Sequence, residues 1–150
     1  FTLISKTYKT GGTKMKKKQF IIASHGKFAQ GLYDSLSLIM GEQKNVETLC
    51  AYIDDNNIEE QIKDLLQKYQ EEDLIVLTDL YGGSVNNLFM KFIKMDNFFL
   101  VSGINLPMLI EMICSQYLSS EQMIQQTLSH LCKGIQYCNH LDVNEEMDDF

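Results

Sequence analysis

Three stretches of this 150-residue chain carry residue types that could do chemistry: Ser24-His25-Gly26, Asp79-Leu80-Tyr81-Gly82-Gly83-Ser84, and Gly103-Ile104-Asn105-Leu106-Pro107-Met108. A neutral imidazole such as that of His25 is a nucleophile through whichever ring nitrogen lacks a proton. Asp79 could accept the Nδ1 hydrogen and so hold the tautomer whose Nε2 lone pair faces outward, as the carboxylate does in hydrolytic triads. Backbone N–H groups near Gly26 and Ser84 suit a phosphate-sized anion. Gly82 and Gly83 allow close approach, and Ser84 adds a hydroxyl. The combination points to phosphoryl transfer onto His25, with Asp79 and Ser84 completing the catalytic set. Gly26, Gly82, Gly83 and Ser84 would hold the phosphoryl oxygens. Taken singly, the histidine reads as a capping residue and the glycine pair as a turn. Only their coincidence makes a site.

Composition narrows the chemistry further. The chain has 20 acidic and 13 basic residues, a net charge of −7, and no arginine. A nucleic-acid backbone binder needs a basic footprint and an arginine finger needs an arginine, so both classes are excluded. With 45% hydrophobic and 22% charged residues the chain can bury a core. No apolar run approaches the roughly 18 residues of a membrane span, and a cytoplasmic protein is expected. Four cysteines without Cys-x-x-Cys spacing read as reduced thiols. His130-x-Cys132 and Cys138-x-His140 offer zinc-ligand types, but helical residues two apart point about 200° from one another. Neither a metal nor an organic cofactor is therefore expected.

The elements that must position these residues follow from periodicity. Apolar, β-rich segments alternate with helical patterns, which predicts an α/β fold with a doubly wound, mainly parallel sheet flanked by helices. Strands are expected at Phe20–Ala23, Val46–Ile53, Leu74–Thr78 and Phe98–Ser102, with a short last one at Ile135–Cys138. The first helix carries Phe28, Leu32, Leu36 and Ile39 on one face and stops at Gly41. The second runs through Ile58, Ile62, Leu65 or Leu66, and Tyr69, with Asn57 and Glu60 as a capping box. Ser84 should cap a third helix with Leu88, Phe89 and Phe92 on its buried face. Pro107 opens a fourth, running to about Tyr117, and Ser119 or Ser120 a fifth, running to about Lys133. Residues 1–14, ahead of Met15, are expected to be a leader outside the fold. Residues 15–140 form one domain and 141–150 an acidic tail. Open parallel sheets place their sites beyond the carboxyl ends of the strands. If strands one, three and four are neighbours, the three loops converge there.

The same residues resemble a known family, the IIA subunits of the mannose-type (mannose, fructose, sorbose) sugar phosphotransferase system. The similarity extends over roughly Lys17 to Asn139. It rests on Ile22-Ala23-Ser24-His25-Gly26, Ala29 with Gly31-Leu32, Met40-Gly41-Glu42-Gln43 with Asn45-Val46, Leu77 to Ser84, and Gly103 to Leu109. The resemblance implies that His25 accepts a phosphoryl group from phospho-HPr and passes it to a IIB partner. It also implies that Asp79 orients His25 and Ser84 supplies the hydroxyl. Membrane IIC and IID subunits would be indirect partners, and a homodimer exchanging the strand at Ile135–Cys138 is expected. Leu80, Tyr81, Asn105, Leu106 and Met108 are expected to meet partner proteins. Val85 and Asn86 depart from the proline and bulky residue common in the family. A dihydroxyacetone-kinase phosphotransfer subunit is a weaker match to the Asn105-Leu106-Pro107-Met108 loop. A receiver-like module would lack its acidic pair, and a Gly-x-Ser-x-Gly hydrolase its last glycine.

Overall fold

Four parallel strands form one sheet in the order β2-β1-β3-β4: β1 Lys18–His25, β2 Val46–Ala51, β3 Asp73–Thr78 and β4 Phe98–Ser102. The structure is a computed structural model that describes residues 14–54 and 57–141. Most of the expected leader and acidic tail thus lies outside the described residues. Among the described residues five α-helices connect and cover the strands: α1 Phe28–Met40, α2 Ile58–Lys68, α3 Ser84–Phe89, α4 Leu106–Cys114 and α5 Ser120–His130.

The central strands show why the sheet is covered on both faces. Phe20, Ile21, Ile22 and Ala23 are all fully buried, and so are Ile75, Val76 and Leu77. Side chains alternate across a strand, so Phe20, Ile22, Ile75 and Leu77 join one core with residues of α1, α4 and α5. Ile21, Ala23, Leu74 and Val76 join a second core with residues of α2 and α3. A run that is apolar at every position is stable only with helices on both sides.

Several expectations are corrected. The second strand ends at Ala51 rather than Ile53, because Tyr52 turns the chain out of the sheet with φ 63°. Helix α3 is only six residues long, is followed by a 3₁₀ turn at Met90–Phe92, and buries Val85, Asn86 and Phe89. Its N-cap is Gly83, so Ser84 is the first helical residue and its hydroxyl is spared from capping. Ser119 does cap α5, in a reciprocal capping box with Gln122. Helix α4 ends at Cys114 and α5 at His130, the latter running into a 3₁₀ turn at Leu131–Gly134. The strand expected at Ile135–Cys138 is not formed: Ile135 and Tyr137 are exposed and Cys138–His140 makes another 3₁₀ turn. Without a partner strand beside it, so short a segment has no ladder to satisfy its backbone. His130, one of the zinc-ligand types, pairs its Nδ1 with Glu111 Oε1 at 2.6 Å. Among the described residues no group of three or more His, Cys, Asp or Glu side chains is arranged to hold a metal.

Candidate functional site

His25 is the last residue of β1 and pairs with Ala51 of β2. Asp79 follows the last residue of β3, on the other side of β1. The turn that carries the chain from His25 into α1 is built from two neighbours. Gly26 adopts φ 56°, a conformation glycine takes without steric cost, and its N–H donates to the Ala51 carbonyl at 2.9 Å. Ser24, fully buried, accepts the Ala29 N–H at 2.7 Å and so takes over the capping that Lys27 does not provide.

Asp79 grips the histidine twice. Its Oδ2 accepts the backbone N–H of His25 and the ring Nδ1–H, both at 2.8 Å, while Oδ1 accepts the N–H of Leu80 at 2.9 Å. The two backbone N–H groups are donors and the carboxyl is held below its usual value, so Asp79 is ionised and can only accept; Nδ1 therefore carries the ring proton. Burial pushes the Asp79 carboxyl up. The hydrogen bonds from the His25 ring and backbone, the attraction of the His25 ring and the Leu80 N–H outweigh that and hold it below the usual carboxylate value. With Nδ1 protonated, Nε2 holds a lone pair, and the Ser84 hydroxyl lies 3.0 Å from it. The His25 side chain is 41% exposed while that of Asp79 is 17% exposed. The His25 ring is thus open to solvent while its carboxylate partner is the more shielded of the two.

Gly83 explains how the ring fits. A Cβ on Gly83 would lie 3.2 Å from His25 Cε1 and 3.2 Å from the Leu80 carbonyl oxygen, closer than side-chain carbons ordinarily pack. Gly83 provides room and not a hydrogen bond to an anion, since its N–H is spent on the Leu80 carbonyl, whereas Gly82 supplies the turn with φ 73°. The Gly26 N–H is likewise spent on Ala51, so the expected anion nest is reduced to Gly82, Ser84 and the opening turn of α3. Beneath α3, Thr78 donates to Asn86 Oδ1 at 2.9 Å, both residues being buried, which ties the helix to the end of β3. Asn86 thus has a positional use.

The loop after β4 is fastened to the same strand end, the N–H groups of Gly103 and Ile104 both donating to the Thr78 carbonyl. Asn105 caps α4 by accepting the Met108 N–H at 2.9 Å. Leu80 and Tyr81 are exposed, as a partner-facing role requires. Met108 is not: it is 2% exposed and packs in the core with Leu109 and Met112, and Leu106 is half-buried against the same cluster. As the third residue of α4, Met108 lies on the face that packs into the core. One residue escaped the sequence reading altogether. Tyr52, just past β2, donates its hydroxyl to Ser84 Oγ at 3.0 Å, and its ring centroid lies 5.6 Å from that of His25. Because β2 borders β1, the loop after the second strand reaches the site as well, and that adjacency is the signal that could have found it.

The family described as the PTS system fructose IIA component matches residues 19–138. The chain belongs to that IIA family. A curated relative, the fructose-specific EIIA component of the phosphotransferase system of Bacillus subtilis (strain 168), is 27% identical over 133 residues, 81% of this chain and 88% of the relative. A solved structure described as a phosphoenolpyruvate-dependent sugar phosphotransferase system permease from Klebsiella pneumoniae is 39% identical, with a TM-score of 0.80. That match covers 85% of this chain and 96% of the other. A phosphotransferase system EIIA component from Streptococcus agalactiae is 25% identical with a TM-score of 0.71, over 83% and 99% of the two chains. The IIA family is thus reached from fold and sequence alike, and among the described residues no helix is long and apolar enough to cross a membrane.

Proposed function

We propose that this IIA chain is a cytoplasmic phosphocarrier whose His25 Nε2 takes a phosphoryl group from phospho-HPr and gives it to a IIB subunit or domain. The observation that carries this reading is the fixing of His25 from both ends: Asp79 Oδ2 on Nδ1 and Ser84 Oγ on Nε2. In the transfer, the Nε2 lone pair forms a bond to phosphorus as the bond from phosphorus to the donor breaks, and the donor leaves with that electron pair. The ring gains positive charge, which the adjacent Asp79 carboxylate offsets. Ser84 loses Nε2 as an acceptor and turns its O–H to a phosphoryl oxygen. Donation to IIB is the reverse of these steps.

The exposure of the site supports a protein-borne substrate. Cavities of about 550 Å³ lie beside α4 and along β4, and neither is lined by His25, Asp79 or Ser84. A phosphoryl group carried on a partner's surface needs no enclosing pocket. In this reading the transfer requires no metal or organic cofactor, and membrane IIC and IID subunits are reached through IIB. A homodimer is the expected assembly. The outer edge of β4, unpaired among the described residues, and the exposed Ile135 and Tyr137 support it. The test is incubation with phosphoenolpyruvate and the two general phosphotransferase proteins, HPr among them. The expected result is an acid-labile, base-stable phosphate on this chain that is discharged when a IIB subunit is added. A chain that takes no label under conditions that phosphorylate HPr contradicts the proposal.

A further inference from the structure

We infer that Tyr52 is a positioning residue of the phosphoryl-transfer site, acting through the Ser84 hydroxyl; the inference rests on the phosphocarrier reading of His25. Three independent observations point to it. The Tyr52 hydroxyl donates to Ser84 Oγ at 3.0 Å. Its ring lies tilted at 35° against the His25 ring, with centroids 5.6 Å apart. Its backbone has φ 63°, and Tyr52 is the one non-glycine residue with positive φ among the described residues. A bulky side chain rarely adopts that conformation, and such strain persists where the surrounding structure imposes it, often at functional sites. Here the left-handed turn ends β2 at Ala51, next to the His25 pairing, and brings the following side chain over the end of β1.

The consequence for Ser84 follows from the direction of the hydrogen bonds. A serine hydroxyl has one proton and can rotate to suit any nearby acceptor. Nδ1–H of His25 is committed to Asp79, so Nε2 can only accept, and the Ser84 proton must face it. Tyr52 O–H occupies a lone pair of the Ser84 oxygen, which removes one direction for that proton and leaves Nε2 as its acceptor. The chain runs Tyr52 O–H to Ser84 O–H to Nε2, then from Nδ1–H to the Asp79 carboxylate. When phosphorus bonds to Nε2, the Ser84 proton loses that acceptor and swings to a phosphoryl oxygen while Tyr52 holds the Ser84 oxygen in place. In a chain without arginine, two linked hydroxyls would do part of the holding that a guanidinium could do.

The test is a double-mutant cycle on the rate of phosphorylation by phospho-HPr, using Tyr52→Phe, Ser84→Ala and the pair. Tyr52→Phe keeps the ring and removes only the hydroxyl. It should slow labelling of His25 roughly three- to tenfold, the effect of losing one uncharged hydrogen bond. In the Ser84→Ala background the same change should have no further effect, because the group it acts through is gone. A purely structural role for Tyr52 would slow both backgrounds equally. Wild-type labelling at His25 with a Tyr52→Phe rate equal to wild type, or with equal losses in both backgrounds, overturns this inference alone. Absence of label on the wild-type chain overturns it together with the phosphocarrier reading.

Discussion

Asp79 Oδ2 accepts both the backbone N–H and the ring Nδ1–H of His25 at 2.8 Å, so one carboxylate oxygen fixes the end of β1 and the tautomer of its histidine together. The bond to the main chain limits how far the imidazole can move when it becomes charged. A carboxylate that only touched the ring would set the tautomer without setting the position.

Asp79→Asn should therefore lower the phosphorylation rate of His25 by about 10² to 10⁴, the loss typical when an orienting acid is removed. The amide can fill the space but cannot offset positive charge on the ring. Single-turnover labelling by phospho-HPr measures it.

The same aspartate links stability to acid. Its carboxyl is held below the usual value in the folded chain, so the unfolded chain binds the proton more tightly. Its contribution to stability is present in full above the ordinary carboxylate value of 3.8 and is lost as pH falls through the lower folded value. Urea unfolding at a series of acid pH values should show a shallower decline for Asp79→Asn than for the wild type.

Ser84→Ala should cost about tenfold in labelling rate, less than Asp79→Asn, since backbone N–H groups at the start of α3 remain to hold phosphoryl oxygens. The difference from wild type should appear in the rate of transfer and leave the urea midpoint nearly unchanged. Ser84 is exposed and does not cap α3, so its hydroxyl contributes little to the fold.

Gly83→Ala tests the close approach of ring and loop. The backbone φ of −67° accepts alanine without strain, so the effect must come from the added carbon 3.2 Å from His25 Cε1 and from the Leu80 carbonyl. A shift of the ring by a few tenths of an ångström should slow labelling about tenfold. Stability should change by less than about 1 kcal/mol.

The fold was legible because its central strands are apolar at every position and its helices carry one-sided apolar spacing; Phe98–Ser102 is found where it was expected. His25, Asp79 and Ser84 converge as their strand-end positions required, since adjacency of β1 and β3 follows from parallel winding. What was not legible depended on geometry beyond one element. The N-cap of α3 falls on Gly83 instead of Ser84, whose hydroxyl is engaged across the site by His25 and Tyr52. Gly26 and Gly83 are glycines at strand ends and so were expected to bind an anion, but their N–H groups are occupied by the carbonyl of Ala51 at the end of β2 and that of Leu80 in the loop after β3. Met108 follows the helix-opening Pro107 in a loop motif, yet it turns into the core. The expected strand at Ile135–Cys138 rested on β-rich composition and on the resemblance, and such a segment forms a strand only when a partner edge is present.

The central claim is that Nε2 of His25 carries the phosphoryl group, and its most direct measurement is the site and chemical stability of the label after incubation with phospho-HPr. Fragmentation of the labelled chain should place one phosphate on His25, labile in acid and stable in base, and His25→Ala should take none, because neither neighbouring loop offers an equivalent nitrogen. A phosphate recovered on Asp79 as an acyl phosphate, with His25→Ala still labelled, would contradict it.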